Sequence, residues 1–266
     1  MQSDLTNRLL HSVKRITVSV LVISVMLYLA ACTLLYFKQR SLLYFPTYEN
    51  KLFESTSITV ESGGERLRIL TGRADGSEAV IYFGGNSEDV AFDIDPLGKA
   101  LPNKALYFVN YRGYGGSTGS PTEDGLYADA LAVYDRVRET HPIISVIGRS
   151  LGTGVAVYLA SVRKVDRLVL VTPYDSIENV AKKHFPFFPI SLLLQDRFDS
   201  ASRAHSITSR TLIILADNDQ VIPRSNSEAL IKSFPVENVV VEVIQGTDHN
   251  TIGVSSEYLK SLRGFF

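Results

Sequence analysis

Beyond its N-terminal segment, the chain alternates short, continuously apolar runs with segments whose apolar residues recur at helical spacing. The apolar runs are rich in β-branched and aromatic residues, as expected of strands that are buried on both faces of a sheet. Such strands are predicted at 78–84, 105–111, 143–148, 166–172, 211–216 and 238–244. Before them, SITVE and RLRILTGR predict an antiparallel pair that opens the sheet.

Helical segments separate these strands. TEDGLYADALAVYDRVRET begins at Thr122, directly after Pro121, and its early acidic residues suit a helix N-terminus. Further helices are predicted from LGTGVAVYLASVRK, RSNSEALIKSF and TIGVSSEYLKSLRGF. Buried strands that alternate with helices predict an α/β fold, with a mostly parallel central sheet and helices on both faces. Reactive residues in such sheets gather at the carboxyl ends of the strands.

The N-terminal segment departs from this pattern, because residues 16–37 contain no charged side chain. A helix over this segment would be roughly 33 Å long, enough to cross the hydrocarbon core of a bilayer. We therefore predict a cytoplasmic-side segment at 1–15, a transmembrane anchor at 16–37 and a folded domain at 38–266. The basic residues before the anchor are Arg8, Lys14 and Arg15. They favour a cytoplasmic N-terminus, which leaves the folded domain on the non-cytoplasmic side.

Two other interpretations of this segment are open. The first is a buried core helix, but a soluble helix of this length would normally show a polar face, which this segment lacks. A cleaved signal is the stronger alternative, because residues 29–32, LAAC, resemble the box at which bacterial lipoproteins are cleaved before a lipid-modified cysteine. Apolar residues continue past Cys32 to Phe37, whereas a cleavage site usually ends the apolar run. Either an anchor or a lipid attached at Cys32 would hold the domain on a membrane.

Composition narrows the class of protein only slightly. The 266 residues are 45% hydrophobic and 21% charged, which fits one large globular domain with a small appendage. The net charge is -1 and no basic tract stands out, so nucleic-acid binding has no electrostatic support. Cys32 is the single cysteine, which excludes an intrachain disulfide. We expect no metal ion and no other cofactor, and the oligomeric state is left open.

Two segments match the G-x-S-x-G pattern around the nucleophile of serine hydrolases, one at Ser117 and one at Ser150. Ser150 directly follows the strand predicted at 143–148 and precedes a predicted helix, which is the strand–turn–helix context of a nucleophile elbow. Ser117 lies in a glycine-rich loop, and Pro121 separates it from the next helix. We therefore predict that Ser150 is the nucleophile and that Ser117 is structural. The alternative for Ser150 is a helix N-cap serine.

A serine hydroxyl needs a base that takes its proton and a third group that orients this base. Of the five histidines, His249 follows the last predicted strand and would lie at the carboxyl edge of the sheet. Asp217 and Asp219 follow the strand predicted at 211–216, and either side chain could reach the same edge. The chain order of serine, acid and histidine is that of α/β-hydrolases.

An oxyanion hole needs two backbone N–H groups beside the nucleophile. Leu151, the residue after Ser150, would supply one of them. The loop after the strand at 78–84 would supply the other, with Asn86 as the expected donor, because glycines in this loop allow the backbone to approach closely. An ordinary glycine turn is the alternative for this loop.

Several further segments are typical of one superfamily: QRSLLYFP, YFGGNSED, NYRGYGGSTGSPTEDGLYADA, IGRSLGTGVA, TPYDSI, FPISLLLQDRFDS, ADNDQVIP and GTDHN. With them the chain resembles the α/β-hydrolases over most of its length after the anchor. Within that superfamily it resembles a membrane-anchored subgroup of bacterial hydrolases of unassigned substrate and eukaryotic protein depalmitoylases. The resemblance implies the α/β-hydrolase fold and a triad of Ser150, Asp219 and His249, because Asp219 matches the acid of a D-x-V-x-P-like pattern. The chain departs from the subgroup at Gly84, where a histidine is usual.

A small cap insertion is predicted at about 173–210, between two of the strands. It has room for one or two short helices and cannot form the large lid of prolyl peptidases, which argues against a peptidase. Its apolar residues could form an acyl-binding wall near the site, and we expect Phe187, Phe188 and Leu192 to bind substrate. Simple packing on the core is an equally good interpretation of these side chains.

Two functions are compatible with these features. The first is a membrane-anchored serine hydrolase, like a carboxylesterase or thioesterase, that cleaves ester or thioester bonds of acylated or lipid-like substrates through an acyl-enzyme. The alternative is a catalytically silent interaction protein on the same fold, tethered to the membrane. Gly84 is the only support for the alternative, and the intact order of serine, acid and histidine speaks against it.

Overall fold

The computed structural model describes residues 2–51, 57–72 and 76–266, with side chains from residue 7 onward. Met1, residues 52–56 and residues 73–75, which include the end of the second predicted strand, lie outside the described residues. The strands in the described part are β1 (Ser57–Ser62), β2 (Glu65–Gly72), β3 (Glu78–Phe83), β4 (Lys104–Val109), β5 (Ile143–Arg149), β6 (Arg167–Val171), β7 (Arg210–Ala216) and β8 (Val239–Ile244). They form one sheet in the order β1-β2-β4-β3-β5-β6-β7-β8.

The pairing of these strands confirms the mostly parallel sheet. β2 pairs antiparallel with β1 and with β4, and every other neighbouring pair is parallel. Each strand expected from the apolar runs is present, with ends that differ by at most two residues. The reason is visible in β5, where Val146 packs into the core on one face of the sheet and Ile147 into the core on the other. A strand with two buried faces is therefore almost continuously apolar.

Helices cover both faces of the sheet. They are α1 (Gln2–Leu43), α2 (Ile94–Ala100), α3 (Glu123–Arg138), α4 (Leu151–Val162), α5 (Ile177–His184), α6 (Ile190–Leu193), α7 (Ala201–Ala204), α8 (Arg224–Ile231) and α9 (Ser256–Phe265). α3 and α4 pack on one face, while α2 and α9 pack on the other. The four long helices predicted after the anchor are all present. α2 was not predicted, because its seven residues are too few for a periodic signal and include Pro96 and Gly98.

α1 extends well beyond the anchor predicted at 16–37. No glycine or proline occurs between Gln2 and Pro46, so nothing in the flanking polar residues stops the helical hydrogen bonding. The segment Asn7–Leu43 is long and apolar enough to cross a membrane, and very little of its most apolar part is buried. A signal sequence near an N-terminus meets the same criteria of length and composition.

The segment between β6 and β7 forms three short helices, one more than its length led us to expect. α7 packs against α4 and α8, and Ala204 is fully buried there, so the end of the segment belongs to the core. α5 and α6 pack against each other, and α6 also contacts α1. The apolar N-terminal helix is therefore docked on the insertion, beside the carboxyl edge of the sheet.

Candidate active site

Ser150 stands at the turn between β5 and α4, in a strained backbone conformation with φ 48° and ψ −116°. A non-glycine residue adopts such angles only where the surrounding structure enforces them. The turn packs closely on the neighbouring strand, where a Cβ at Gly152 would lie 2.1 Å from the Phe83 carbonyl oxygen. The Ser150 N–H donates to the Val171 carbonyl at 2.9 Å, which fixes the turn on the neighbouring strand. The serine side chain is thus presented above the edge of the sheet.

Three side chains from different strand ends form one chain of hydrogen bonds. His249 Nε2 lies 2.8 Å from Ser150 Oγ, and His249 Nδ1 lies 2.8 Å from Asp219 Oδ2. An aspartate carboxylate only accepts, so Nδ1 carries the proton in the neutral ring and Nε2 is left to accept from the serine hydroxyl. The side chains of His249 and Asp219 are each 10% exposed. The arrangement can remove a proton from Ser150 and stabilise the imidazolium that results.

The structure separates the two aspartates that follow β7. Asp219 Oδ1 accepts the N–H groups of Val221 and Ile222 at 2.9 and 2.8 Å, which orients its other oxygen towards His249. Asp217 Oδ2 instead accepts from the side-chain amide of Asn218. Of the two aspartates only Asp219 contacts the imidazole, a distinction that spacing along the chain could not make.

The second glycine-rich match has a different role in the fold. Ser117 is buried, and its Oγ donates to the Asn110 carbonyl and accepts the Arg68 N–H, each at 2.8 Å. Both hydrogen-bonding capacities of this hydroxyl are used to join its loop to β2. The Ser117 hydroxyl has no histidine partner among the described residues.

The two expected oxyanion donors border Ser150. Asn86 and Leu151 both line the cavity at Ser150, and neither backbone N–H has an acceptor within the described ranges. The neighbouring Gly85 N–H is taken, since it donates to Glu88 Oε2 at 2.6 Å. The Asn86 side chain fixes the loop, because its Nδ2 donates to the Leu43 carbonyl at 2.5 Å. The end of α1 therefore helps to hold this loop.

Gly84, where the related hydrolases usually carry histidine, has no room for a side chain. A Cβ at this position would lie 2.6 Å from Val90 Cγ1. The Gly84 carbonyl accepts the Tyr111 hydroxyl at 2.8 Å, which holds the backbone in place. Val90 thus occupies the space that a side chain at position 84 would need.

Arg149 is a site residue that the sequence reasoning missed. Its guanidinium pairs with Glu88 at 3.1 Å and donates to the carbonyls of His249 and Asn250 at 3.4 and 3.2 Å. It therefore ties the loop that contains Asn86 and Glu88 to the loop that contains His249 and Asn250. The available signal was a charged residue before the serine in G-x-S-x-G, in a strand that has no other charged residue.

Asp93 lies in the same charged group, and it gives the protein a pH-dependent stability. Burial, together with the adjacent Glu88 carboxylate, raises the pKa of Asp93 from 3.8 to about 9. The folded protein holds a proton that the unfolded chain releases, so the free energy of unfolding falls as the pH rises from about 4 towards 9. Asparagine at position 93 cannot ionise. We therefore expect the Tm of Asp93→Asn, relative to that of wild type, to increase by at least about 2–4 °C as the pH rises. Scanning fluorimetry between pH 6 and pH 9 measures this, and parallel Tm curves of the two proteins would contradict it.

Two cavities meet at Ser150. One has a volume of about 380 Å³ and a mostly apolar wall. The insertion contributes Val180, Phe185, Ile190, Leu193 and Leu194 to this wall. The other is a small polar cavity of about 200 Å³, lined by Gly85, Asn86, Ser87, Glu88, Arg149, Ser150, His249 and Asn250. The site can therefore hold an apolar group on one side of the serine and a polar group on the other.

The structure does not bring the three expected substrate-binding residues into the apolar cavity. Phe187 and Leu192 are 85% and 82% exposed, and Phe188 stacks on Tyr28 of α1. Their sequence neighbours Phe185 and Ile190 line the cavity instead. Within the described part of the chain, no group of three histidine, cysteine or acidic residues is placed to hold a metal ion.

The fold and this site together define the class of protein, a hydrolase of the α/β type. The family model of the alpha/beta hydrolase fold matches residues 78–190. The chain is 33% identical to the uncharacterised protein Rv2307c of Mycobacterium tuberculosis, over 80% of this chain and 81% of that protein. It is 31% identical to human alpha/beta hydrolase domain-containing protein 17B, over 78% of this chain and 73% of that protein.

Solved structures agree with this assignment at the level of the fold. Esterase Pf2001 of Pyrococcus furiosus matches with a TM-score of 0.68 and 17% identity, over 84% of this chain and 97% of that one. Est1E of Butyrivibrio proteoclasticus, with ferulic acid bound, matches with a TM-score of 0.66 and 17% identity, over 78% and 97% of the two chains. The chain belongs to the α/β-hydrolase superfamily, as its motifs led us to expect.

Proposed function

We propose that this protein is a membrane-anchored serine hydrolase that cleaves ester or thioester bonds of acylated, lipid-like substrates. The observation that carries the proposal is the position of Ser150. Its hydroxyl is hydrogen-bonded to His249, and it stands where an apolar cavity meets a polar one. An acyl chain fits the apolar side, and the alcohol or thiol part of the substrate fits the polar side.

The reaction follows from the hydrogen bonds of the site. Ser150 Oγ attacks the acyl carbonyl carbon while its proton passes to His249 Nε2, and Asp219 stabilises the imidazolium. The N–H groups of Leu151 and Asn86 hold the negative oxygen of the tetrahedral intermediate. His249 then gives the proton to the leaving oxygen or sulfur, which leaves an acyl ester on Ser150. A water molecule that loses its proton to His249 cleaves this ester and releases the carboxylic acid.

The attachment to the membrane is part of the same proposal. Residues 16–37 of α1 form a single-pass anchor, with residues 1–15 on the cytoplasmic side and the hydrolase domain, 38–266 with its small cap at about 173–210, on the other side. The domain lies against the bilayer there, because its cap contacts the anchor from Tyr28 onward. Tyr28 supports an uncleaved anchor over a lipid at Cys32, because its hydroxyl donates to the Phe187 carbonyl at 3.0 Å. Cleavage before Cys32 would remove that contact with the folded domain.

The test uses the full chain in lipid nanodiscs. We expect a fluorophosphonate probe to label the protein at Ser150, as located by mass spectrometry of the digested protein. We also expect hydrolysis of p-nitrophenyl esters and acyl thioesters, with kcat/KM higher for long acyl chains than for short ones, because each buried methylene group contributes about 0.8 kcal/mol. Absence of labelling and of turnover across all chain lengths would favour the catalytically silent interaction protein.

A further inference from the structure

One face of α1 packs against the insertion over the C-terminal half of the helix. Tyr28 stacks on Phe188 with the ring centroids 6.0 Å apart, and Cys32, one turn later, is only 8% exposed. The same face continues at helical spacing through Leu35, Gln39, Leu42 and Leu43. The apolar helix therefore has a face that the folded domain covers, besides the faces that stay exposed.

Polar contacts hold this end of the helix on the insertion. Arg40 Nε donates to Asp196 Oδ2 at 2.9 Å, and the aspartate side chain is 5% exposed. The Gln39 side-chain amide donates to the Leu193 carbonyl at 3.0 Å and accepts the Gln195 N–H at 2.7 Å. Because backbone groups of the insertion form hydrogen bonds with this amide, Gln39 can lie beside apolar residues without leaving a polar group unpaired.

α1 closes one side of the apolar cavity at Ser150. The cavity residues from the helix are Leu35, Gln39, Leu42 and Leu43, and they face the apolar side chains of α5 and α6 across the cavity. Ser150 and Leu151 line the same space. Without the docked helix this space would lack the wall that these four residues form, so the shape of the apolar cavity beside the serine depends on α1.

We infer that α1 selects the acyl chain of the substrate: the chain lies between α1 and the helices α5 and α6, with its carbonyl at Ser150. This inference rests on the proposed function and adds a part in substrate selection to the role of the helix as an anchor. The opposite face of α1 is free to contact lipid, since Leu34 and Phe37 are 62% and 75% exposed. An acyl chain from the surrounding bilayer can enter the cavity between α1 and the insertion with little exposure of its methylene groups to water.

The kinetic test compares two tryptophan substitutions on adjacent residues of the full chain in nanodiscs. Leu35→Trp fills part of the cavity, and Leu34→Trp, on the exposed face, is the matched control. The readout is the ratio of kcat/KM for p-nitrophenyl palmitate to that for p-nitrophenyl butyrate. Each methylene group excluded from the cavity costs about fourfold, so we expect Leu35→Trp to lower the ratio by about tenfold or more. Leu34→Trp should leave the ratio within about twofold of wild type.

The outcomes separate this inference from the function on which it rests. An unchanged ratio in Leu35→Trp, or equal losses in the two tryptophan variants, would overturn the role of α1 while leaving the hydrolase intact. If wild type hydrolyses neither ester, or if Ser150→Ala hydrolyses both as wild type does, the proposed function itself fails.

A second measurement needs no substitution in α1. A long-chain alkyl fluorophosphonate with a diazirine at the end of its chain is attached to the serine of the wild-type protein and then irradiated. We expect the photoproducts, mapped by mass spectrometry, to include α1 residues between Leu35 and Leu43. Photoproducts confined to other parts of the protein would show that the alkyl chain lies elsewhere.

Discussion

Replacing Ser150 by alanine is expected to lower kcat for ester hydrolysis by about 10⁴- to 10⁶-fold. The residual rate is that which substrate binding and the oxyanion donors give without a nucleophile. The Ser150 hydroxyl oxygen is the atom that forms the acyl-enzyme. His249, 2.8 Å away, takes its proton from this hydroxyl, so the variant lacks both the nucleophile and the proton transfer that activates it. The measurement is kcat with a long-chain p-nitrophenyl ester in nanodiscs, together with loss of fluorophosphonate labelling.

Ser117→Ala is the matched control, because Ser117 occupies the same five-residue pattern. Its hydroxyl joins Asn110 and Arg68, so its removal should lower the free energy of unfolding by about 1–3 kcal/mol. We expect most of the activity to remain at a temperature where the variant is folded. The reverse result, an inactive Ser117→Ala and an active Ser150→Ala, would refute the assignment of the nucleophile.

The second large effect is expected for Asp219→Asn, with kcat lowered by about 10⁴-fold and little change in KM. An asparagine amide that donates to His249 Nδ1 would place the histidine proton on Nε2, where it can no longer accept from Ser150. The geometry of the site would be retained, which makes this a test of the tautomer rather than of folding. Steady-state kinetics with the same ester measures the effect.

Asp217→Asn controls for the loss of a negative charge beside the site. Asp217 contacts Asn218 and not the imidazole, so we expect kcat within about threefold of wild type, as for a substitution that leaves the catalytic hydrogen bonds intact. Equal losses in the two variants would mean that general electrostatics, and not orientation of the histidine, explains the role of Asp219.

Much of the fold could be predicted from local pattern. The buried strands were predictable because two covered faces favour a nearly continuous apolar run, as in β5 with Val146 and Ile147. The elbow was found because Gly148 and Gly152 are needed wherever a strand turns sharply into a helix. α2 was not found, since a seven-residue helix with proline and glycine leaves almost no periodic signal.

The candidate site could be predicted to the extent that hydrolysis requires particular types of residue. Serine, histidine and aspartate stand after three different strands, and parallel strands bring such residues to one edge of the sheet. Spacing could not choose between Asp217 and Asp219, because both are within reach of the edge. That choice is made by the turn, where two backbone N–H groups hold Asp219 towards the histidine.

The sequence by itself determined the class of fold, the strained turn at Ser150 and a helix apolar enough for a membrane, because each depends on residues close together in the chain. The tertiary structure decided what lies around that serine. Arg149 joins two loops, Val90 fills the space at Gly84, and Phe185, not Phe187 or Phe188, enters the apolar cavity. Packing between α1 and the insertion, more than a hundred residues apart in the chain, supplies two facing walls of that cavity. Such contacts depend on which faces of distant elements meet, and a linear pattern of apolar residues does not specify them.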